Sequence, residues 1–347
     1  MSSQSLAMGP SKQGYLRFSL HAQFCVKPIR SAPPGTDLAG QTALITGAGS
    51  GLGFHAADHL LSLNLSRLIM AVRSVEAGKS AAAKLQAKYP SAHIDVWPLE
   101  MTSYASIQAL AARVDTELPR LDIAILNAGV TALRHELVPS TGHEKVIQVN
   151  YLSTYLLAIL LLPSLKSKSA SPRPGRLTIV GSGMAYYASL PNRHKVPLLA
   201  SFDDTHIQKW NPTERYAASK LLLHMFLVKL ATHIDPDDVV VNICDPGLCK
   251  GSRLQRDADG TLFGWVFGVV KALSGRTPED GAWTYVDAAV CKGRESHGCF
   301  LTDWRVAPFA RLVYEPEMAA VIDRLWDETI AEFEFAGVRE ILGLKKA

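Results

Sequence analysis

An α/β fold built on a mainly parallel, doubly wound sheet is what this sequence predicts, and three observations carry the prediction. The apolar run Thr42-Ala43-Leu44-Ile45-Thr46 breaks into a glycine-rich turn, Gly47 to Gly53, and resumes as a helical pattern from Phe54. Short strand-like apolar runs then alternate with stretches of helical period along most of the chain. Several of those runs end in small or polar residues, at Asn127-Ala128-Gly129, Ser182 and Pro246-Gly247, and the C-terminal strand ends of an open parallel sheet are where ligands bind. With 347 residues, 48% of them hydrophobic, one large core is within reach, and no internal repeat or second domain is legible. The expected architecture is a single domain in three αβα layers around a seven-stranded sheet.

Residues 1–39 read as a partly ordered extension, rich in Pro, Ser and Gly, with no apolar stretch leading to a small-residue cleavage site. Within it, Tyr15 to Phe24 is a short amphipathic piece able to dock on the domain that occupies residues 40–347. The first strand ends at Thr46. In the turn that follows, with Ser50 and Leu52 between the glycines, Gly47 and Gly51 let the backbone approach a ligand, and Gly53 lets the helix sit close on the strand. The helix N-terminus then faces a pyrophosphate with free N–H groups and positive dipole. Arg67 to Val72 is the second strand, so the turn lies in a βαβ unit. In dinucleotide folds an acidic residue after this strand binds ribose hydroxyls, whereas a cation accommodates a 2′-phosphate. Here Val72 is followed by Arg73, which favours NADP(H) over NAD(H).

Ala77 to Tyr89 is the second helix and Ala92 to Leu99 the third strand. Glu100 and Met101 follow, where the Glu100 carboxylate serves either an adenine amino group or the N-terminus of the helix running to Glu117. Leu121 to Leu126 is the fourth strand, ending in Asn127-Ala128-Gly129. A long helix from His143 carries Asn150, a polar residue on an apolar surface that needs a partner. Arg176 to Gly181 is the fifth strand, ending in Ser182, and roughly thirty residues then lead to Pro212, a connection long enough to be functional or disordered. The next helix places Tyr216 and Lys220 one turn apart on one face. Val239 to Cys244 forms the sixth strand, closed by Asp245-Pro246-Gly247. An apolar segment (Leu262 to Leu273), a helix (Pro278 to Val290), a short strand (Cys299 to Leu301) and a final helix (Glu315 to Glu334) complete the chain.

A net charge of +4 with no Lys/Arg run argues against a nucleic-acid partner. The five cysteines lack a CxxC pair and His companions, so reduced thiols and no metal site are expected. The longest strongly apolar stretch, Leu156 to Pro163, falls short of the roughly 18 to 20 residues that cross a bilayer, and a cytoplasmic location is expected.

Taken in order, these residues resemble the classical short-chain dehydrogenase/reductase family across about residues 40–305. Thr46 to Gly53 fits its TGxxxGxG turn, Asn127-Ala128-Gly129 its NAG, Ser182 its serine, Tyr216 and Lys220 its YxxxK, and Pro246-Gly247 its PG. Asn150 falls at its fourth catalytic position. The chain is similar to the retinol-dehydrogenase-like reductases of filamentous fungi, many of which act in secondary metabolism. It departs from the family at Leu126, where Asn is frequent, at Glu100, where Asp is usual, and at Ser252, near a usual Thr.

The resemblance implies a Rossmann-type fold and an NADPH-dependent carbonyl reductase or alcohol dehydrogenase. Tyr216 would be the acid, its pKa lowered by Lys220. Lys220 would also hold the nicotinamide ribose, Ser182 the substrate oxygen, and Asn150 a water that relays protons. Met184, Tyr186 and Tyr187, with Leu262 to Phe267, either pack as core or line a pocket and its lid, and in the second case a lipophilic ketone or alcohol is favoured. The alternatives are a cyclase or isomerase on the same fold and a catalytically silent NADPH-binding regulator. A homodimer would pair through the helices of Asn150 and Tyr216, unless the long connection before Tyr216 shields them and leaves a monomer.

Overall fold

The computed structural model describes residues 3–11, 26–168, 173–250 and 275–345. Its sheet has eight strands: β1 (Thr42–Thr46), β2 (Arg67–Val72), β3 (His93–Pro98), β4 (Ile123–Leu126), β5 (Gly175–Val180), β6 (Val239–Asp245), β7 (Cys299–Thr302) and β8 (Arg305–Ala307). Their spatial order is β3-β2-β1-β4-β5-β6-β7-β8, parallel throughout except for the antiparallel β7–β8 pair. The winding reverses between β1 and β4, where Ile45 pairs with Ile125, and this opens a crevice at the strand ends. Alternate residues of β1 divide between the two faces: Leu44 enters one core with Leu126 and Leu177, Ala43 and Ile45 the other with Leu60 and Tyr285. Helices therefore cover both faces, as a buried parallel sheet requires.

Those helices are α1 (Gln4–Ala7), α2 (Gly51–Ser62), α3 (Val75–Lys88), α4 (Tyr104–Glu117), α5 (Thr154–Lys168), α6 (Pro212–Leu230), α7 (Pro278–Val286), α8 (Met318–Glu332) and α9 (Val338–Ile341). A short turn, Lys145–Ile147, and a π-helical turn, Gln148–Ser153, lead into α5. The continuous run Lys145–Lys166 is long and apolar enough to cross a membrane, longer than the Leu156 to Pro163 stretch suggests, but 89% of its most apolar window is buried in the protein. It is the core helix beneath α4 and α9.

Two features depart from the expected layout. The sheet has an eighth strand rather than seven in all, because β8 returns along β7 through the two-residue turn Asp303-Trp304. That turn has no Gly or Asn to announce it, and β8 is three residues long. Secondly, α2 begins at Gly51, inside the glycine turn, rather than at Phe54.

The connection between Ser182 and α6 is ordered and docks on the C-terminal helix. Leu190, Leu198 and Phe202 are fully buried, and the N–H groups of Leu198 and Leu199 each donate to the Glu328 carboxylate at 2.7 Å. The helix α8 in turn covers α6: Trp326 stacks on Phe226 at 4.8 Å, and Thr329 hydrogen-bonds the Tyr151 hydroxyl at 2.7 Å. Before the domain, α1 seats on the β7–β8 edge, where the buried Ser5 hydroxyl accepts from Phe300 N–H at 2.9 Å and donates to Ala307 O at 2.6 Å. The Tyr15 to Phe24 piece, the Leu262 to Leu273 segment with its lid, and Ser252 lie outside the described residues.

Candidate active site

The glycine turn is a backbone cradle at the reversal of the sheet. Gly47, at φ 69°, donates its N–H to Ala71 O at 2.8 Å, and a Cβ there would stand 2.9 Å from Asn127 Nδ2. A Cβ on Gly53 would meet Gly47 O and Asn127 Nδ2 at 2.7 Å each, so any side chain would displace the α2 N-terminus. Asn127 stitches the cradle together: its amide donates to Thr46 O at 2.9 Å, and its oxygen accepts from the Tyr285 hydroxyl at 3.0 Å. The Ala128 N–H donates to Thr46 Oγ1 at 2.9 Å.

Ser50 precedes α2 without using its hydroxyl as a cap, and the first turn of that 12-residue helix, which includes Leu52, has no acidic residue. Free N–H donors, a free hydroxyl and the positive end of the dipole fit a pyrophosphate. Arg73 follows β2 beside this turn, exposed, and makes no ion pair among the described residues. Glu100 is less available, because its Oε1 accepts from the Thr102 N–H at 3.0 Å and hydroxyl at 2.9 Å. These bonds close the turn before α4, whose own N-cap is Ser103, the hydroxyl accepting from Ser106 N–H at 3.2 Å. The Met101 side chain lies in the core, and its carbonyl accepts from Ser153 Oγ at 2.5 Å.

At the other end of the crevice Ser182, Tyr216 and Lys220 come together. Ser182 lies just past the end of β5 and caps a 3₁₀ turn, its Oγ accepting from Met184 N–H at 3.1 Å. Lys220 is 5% exposed, its Nζ donating to Val180 O at 2.8 Å and lying 5.7 Å from the Tyr216 ring centre. Burial lowers the Lys220 pKa to about 8, against the opposing pull of Cys244 and Asp245. Tyr216 goes the other way from the expected depression. Burial raises its pKa above the ordinary phenol value, the Ser182 hydrogen bond pulls it down, and Asp245 pushes it up. The phenol stays protonated near neutral pH, because desolvation outweighs the Ser182 hydrogen bond.

Asn150 sits in the π-helical turn, where an extra residue per turn redirects a side chain. Its Oδ1 accepts from Val130 N–H at 2.8 Å, and its Nδ2 donates to Val130 O at 2.9 Å and Ser219 Oγ at 3.0 Å. The amide is therefore a brace between the Val130 main chain and Ser219 of α6. It holds Gly129 so close that a Cβ there would lie 3.2 Å from Asn150 Oδ1 and 3.9 Å from Lys220 Nζ.

In the sequence Asp245 marks only the end of a strand, yet its carboxylate is a hub. Oδ1 accepts from Gly247 N–H at 3.0 Å, Oδ2 from Thr302 Oγ1 at 3.2 Å, and the Gly183 N–H also bonds to it. It thereby joins the turn after Ser182 to the Pro246-Gly247 turn. Nothing but position before a Pro-Gly pair marks it in the sequence. His224, one turn beyond Lys220, was equally silent. It is fully buried against Phe300 at 4.4 Å, and burial with the Lys220 charge drops its pKa to about 3, so it is neutral. On the substrate side, Met184 is half-buried, Tyr186 spends its hydroxyl on Pro308 O at 2.6 Å, and Tyr187 is exposed. Cys244, Cys291 and Cys299 are free thiols, and no group of metal-binding side chains occurs among the described residues.

Residues 41–191 match the family described as short chain dehydrogenase. The short chain dehydrogenase/reductase mfmJ of Annulohypoxylon moriforme is 53% identical over 322 residues, covering 92% of each chain. The short-chain dehydrogenase fogG of Aspergillus ruber is 40% identical over 339 residues, 96% of this chain and 97% of that one. Among solved structures, the Pseudomonas aeruginosa RhlG/NADP active-site complex superposes with a TM-score of 0.57 at 24% identity, over 82% of this chain and all of that one. A short chain dehydrogenase of Escherichia coli CFT073 complexed with NADPH gives 0.56 at 22%, over 78% and 99%. The sheet order, the glycine cradle and relatives of this identity over nearly the whole chain lead to one conclusion: the protein belongs to the short-chain dehydrogenase/reductase family of oxidoreductases.

Proposed function

We propose that this protein is an NADPH-dependent carbonyl reductase, running in reverse as an alcohol dehydrogenase, on a lipophilic ketone or alcohol of secondary-metabolite biosynthesis. The observation that carries the reading is the convergence of Ser182, a protonated Tyr216 and a buried Lys220 at the same strand ends as the phosphate cradle. Gly47, Ser50, Gly51 and Leu52 would hold the pyrophosphate, Arg73 the 2′-phosphate, and Gly129, Pro246 and Gly247 the nicotinamide end. That two structural neighbours were crystallised with NADP or NADPH supports the choice of cofactor.

Reduction builds negative charge on the carbonyl oxygen, so donors must point at that atom before the charge appears. Ser182 and Tyr216 would supply the two hydroxyl donors. When bound, the nicotinamide supplies the hydride. Tyr216 is protonated at neutral pH and gives its proton to an oxygen that becomes an alkoxide, a stronger base than the phenolate left behind, as the hydride arrives. Lys220, with a pKa of about 8, can hold ribose hydroxyls as a cation and exchange a proton near neutrality. Asn150 braces Gly129 against this lysine.

The wrapping of α5 and α6 by α8 and α9 also bears on assembly. It supports a chain that does not pair through those two helices, and of the homodimer and the monomer we place the monomer first.

The test of function is NADPH consumption across a panel of ketones, quinones and aldehydes, with NADH run alongside. Turnover of a bulky apolar ketone with NADPH is expected. Product formed without loss of NADPH would favour the cyclase or isomerase reading, and NADPH binding without turnover of any substrate the regulator.

A further inference from the structure

The turn between β7 and β8 puts two successive non-glycine residues in the left-handed region, Asp303 at φ 53° and Trp304 at φ 60°. A two-residue hairpin of this kind needs positive φ at both positions, which Asp-Gly or Asn-Gly supplies without crowding. Asp tolerates the conformation, but a tryptophan is strained in it. Both residues are nevertheless buried, and what they enclose is the guanidinium of Arg276. Asp303 forms a buried ion pair with Arg276, and the Trp304 ring centre lies 4.9 Å from its Cζ.

The arginine in turn rests on the Pro246-Gly247 turn. Its Nη1 donates to Pro246 O at 3.3 Å, and a Cβ on Gly247 would stand 2.8 Å from Nη1 and 3.2 Å from Cζ. Its main chain is fixed as well, the N–H donating to Leu248 O and the carbonyl accepting from Lys250 N–H, each at 2.8 Å. A glycine at position 304 would relieve the turn but lose both the buried indole and its aromatic face over the cation. Strain kept where glycine would remove it marks a side chain that something else requires.

We propose that Arg276, clamped between Asp303 and Trp304, is a positioning residue that fixes the Pro246-Gly247 turn for the nicotinamide half of the cofactor. This rests on the reading above that the turn faces the nicotinamide. A rigid cation packed on Gly247 holds that backbone in one conformation before the cofactor arrives, and the aromatic face compensates the desolvated charge.

The test compares dissociation constants for NADPH and for 2′-phospho-ADP-ribose, which lacks the nicotinamide ring, by calorimetry on the full chain. Trp304→Gly relaxes the turn, and Trp304→Leu keeps the strain and part of the apolar bulk but removes the π face. Each is expected to weaken NADPH by about tenfold while leaving the fragment within about twofold, the size of one desolvated cation–π contact. Trp304→Phe keeps a ring face and should retain NADPH affinity within about threefold. Equal weakening of both ligands, or unchanged NADPH affinity in both disruptive variants, overturns the proposal. Wild-type protein that binds neither ligand would instead overturn the cofactor-site reading beneath it.

Discussion

Replacing His143 by Gln should flatten the pH dependence of stability in a calculable way. His143 lies between Asp203, at 3.0 Å from its Nδ1, and Glu332, at 3.3 Å from its Nε2, with its side chain 13% exposed. Burial pulls the imidazole pKa down, but the hydrogen bonds and charges of the two carboxylates outweigh it and set it at about 9. Against an ordinary value of 6.5, that difference corresponds to about 3 kcal/mol at 1.36 kcal/mol per pH unit. Because the folded-state pKa is raised, the stabilisation is complete below pH 6.5 and is lost as pH rises through 9. Lys220, depressed from 10.5 to about 8, acts in the opposite sense between those values, so the quantity to plot is wild type minus variant. Urea unfolding at several pH values from about 6 to 9.5 should show that difference shrinking by about 3 kcal/mol. A difference independent of pH would refute the reasoning. The site has a stake in the result, because His143 adjoins Glu144, whose carboxylate caps the turn leading to Asn150.

Two further outcomes follow from the same geometry. Arg73→Ala should cut the preference for NADPH over NADH by about tenfold, the size of a charge-assisted phosphate contact at an exposed site, read as the ratio of kcat/KM values. An unchanged ratio would remove Arg73 from the cofactor site. Light scattering on the purified protein should give the mass of one chain, since α8 and α9 already occupy the faces of α5 and α6. A dimer that dissociates on substitution of outward residues of α6 would contradict that.

What could be read before folding and what could not divide along physical lines. The βαβ order and the apolar strands were legible because a sheet buried on both faces leaves continuous runs such as Leu68 to Val72. The Tyr216–Lys220 pair was legible because helical spacing places them on one face. The pKa directions were not, since burial of Tyr216 depends on the surrounding chain and reverses the expected shift. Asn150 could be placed on a helix, but its π turn depends on bonds to Val130 and Ser219. Asp245, Arg276 and Trp304 carry no local pattern; only the packing of β6 against β7 brings them to Pro246 and Gly247. The eighth strand escaped for a related reason, because Asp-Trp is a poor hairpin turn that tertiary contacts enforce.

The central claim is that Tyr216 is the proton donor of a ketone reduction. The most direct measurement is the single-turnover rate of NADPH oxidation with a ketone found by the panel, in wild type and in Tyr216→Phe, with the NADPH dissociation constant of each. A loss of about 100-fold to 10,000-fold in rate is expected, the range for a positioned general acid, with cofactor affinity unchanged. A Tyr216→Phe protein that oxidises NADPH at nearly the wild-type rate would contradict it.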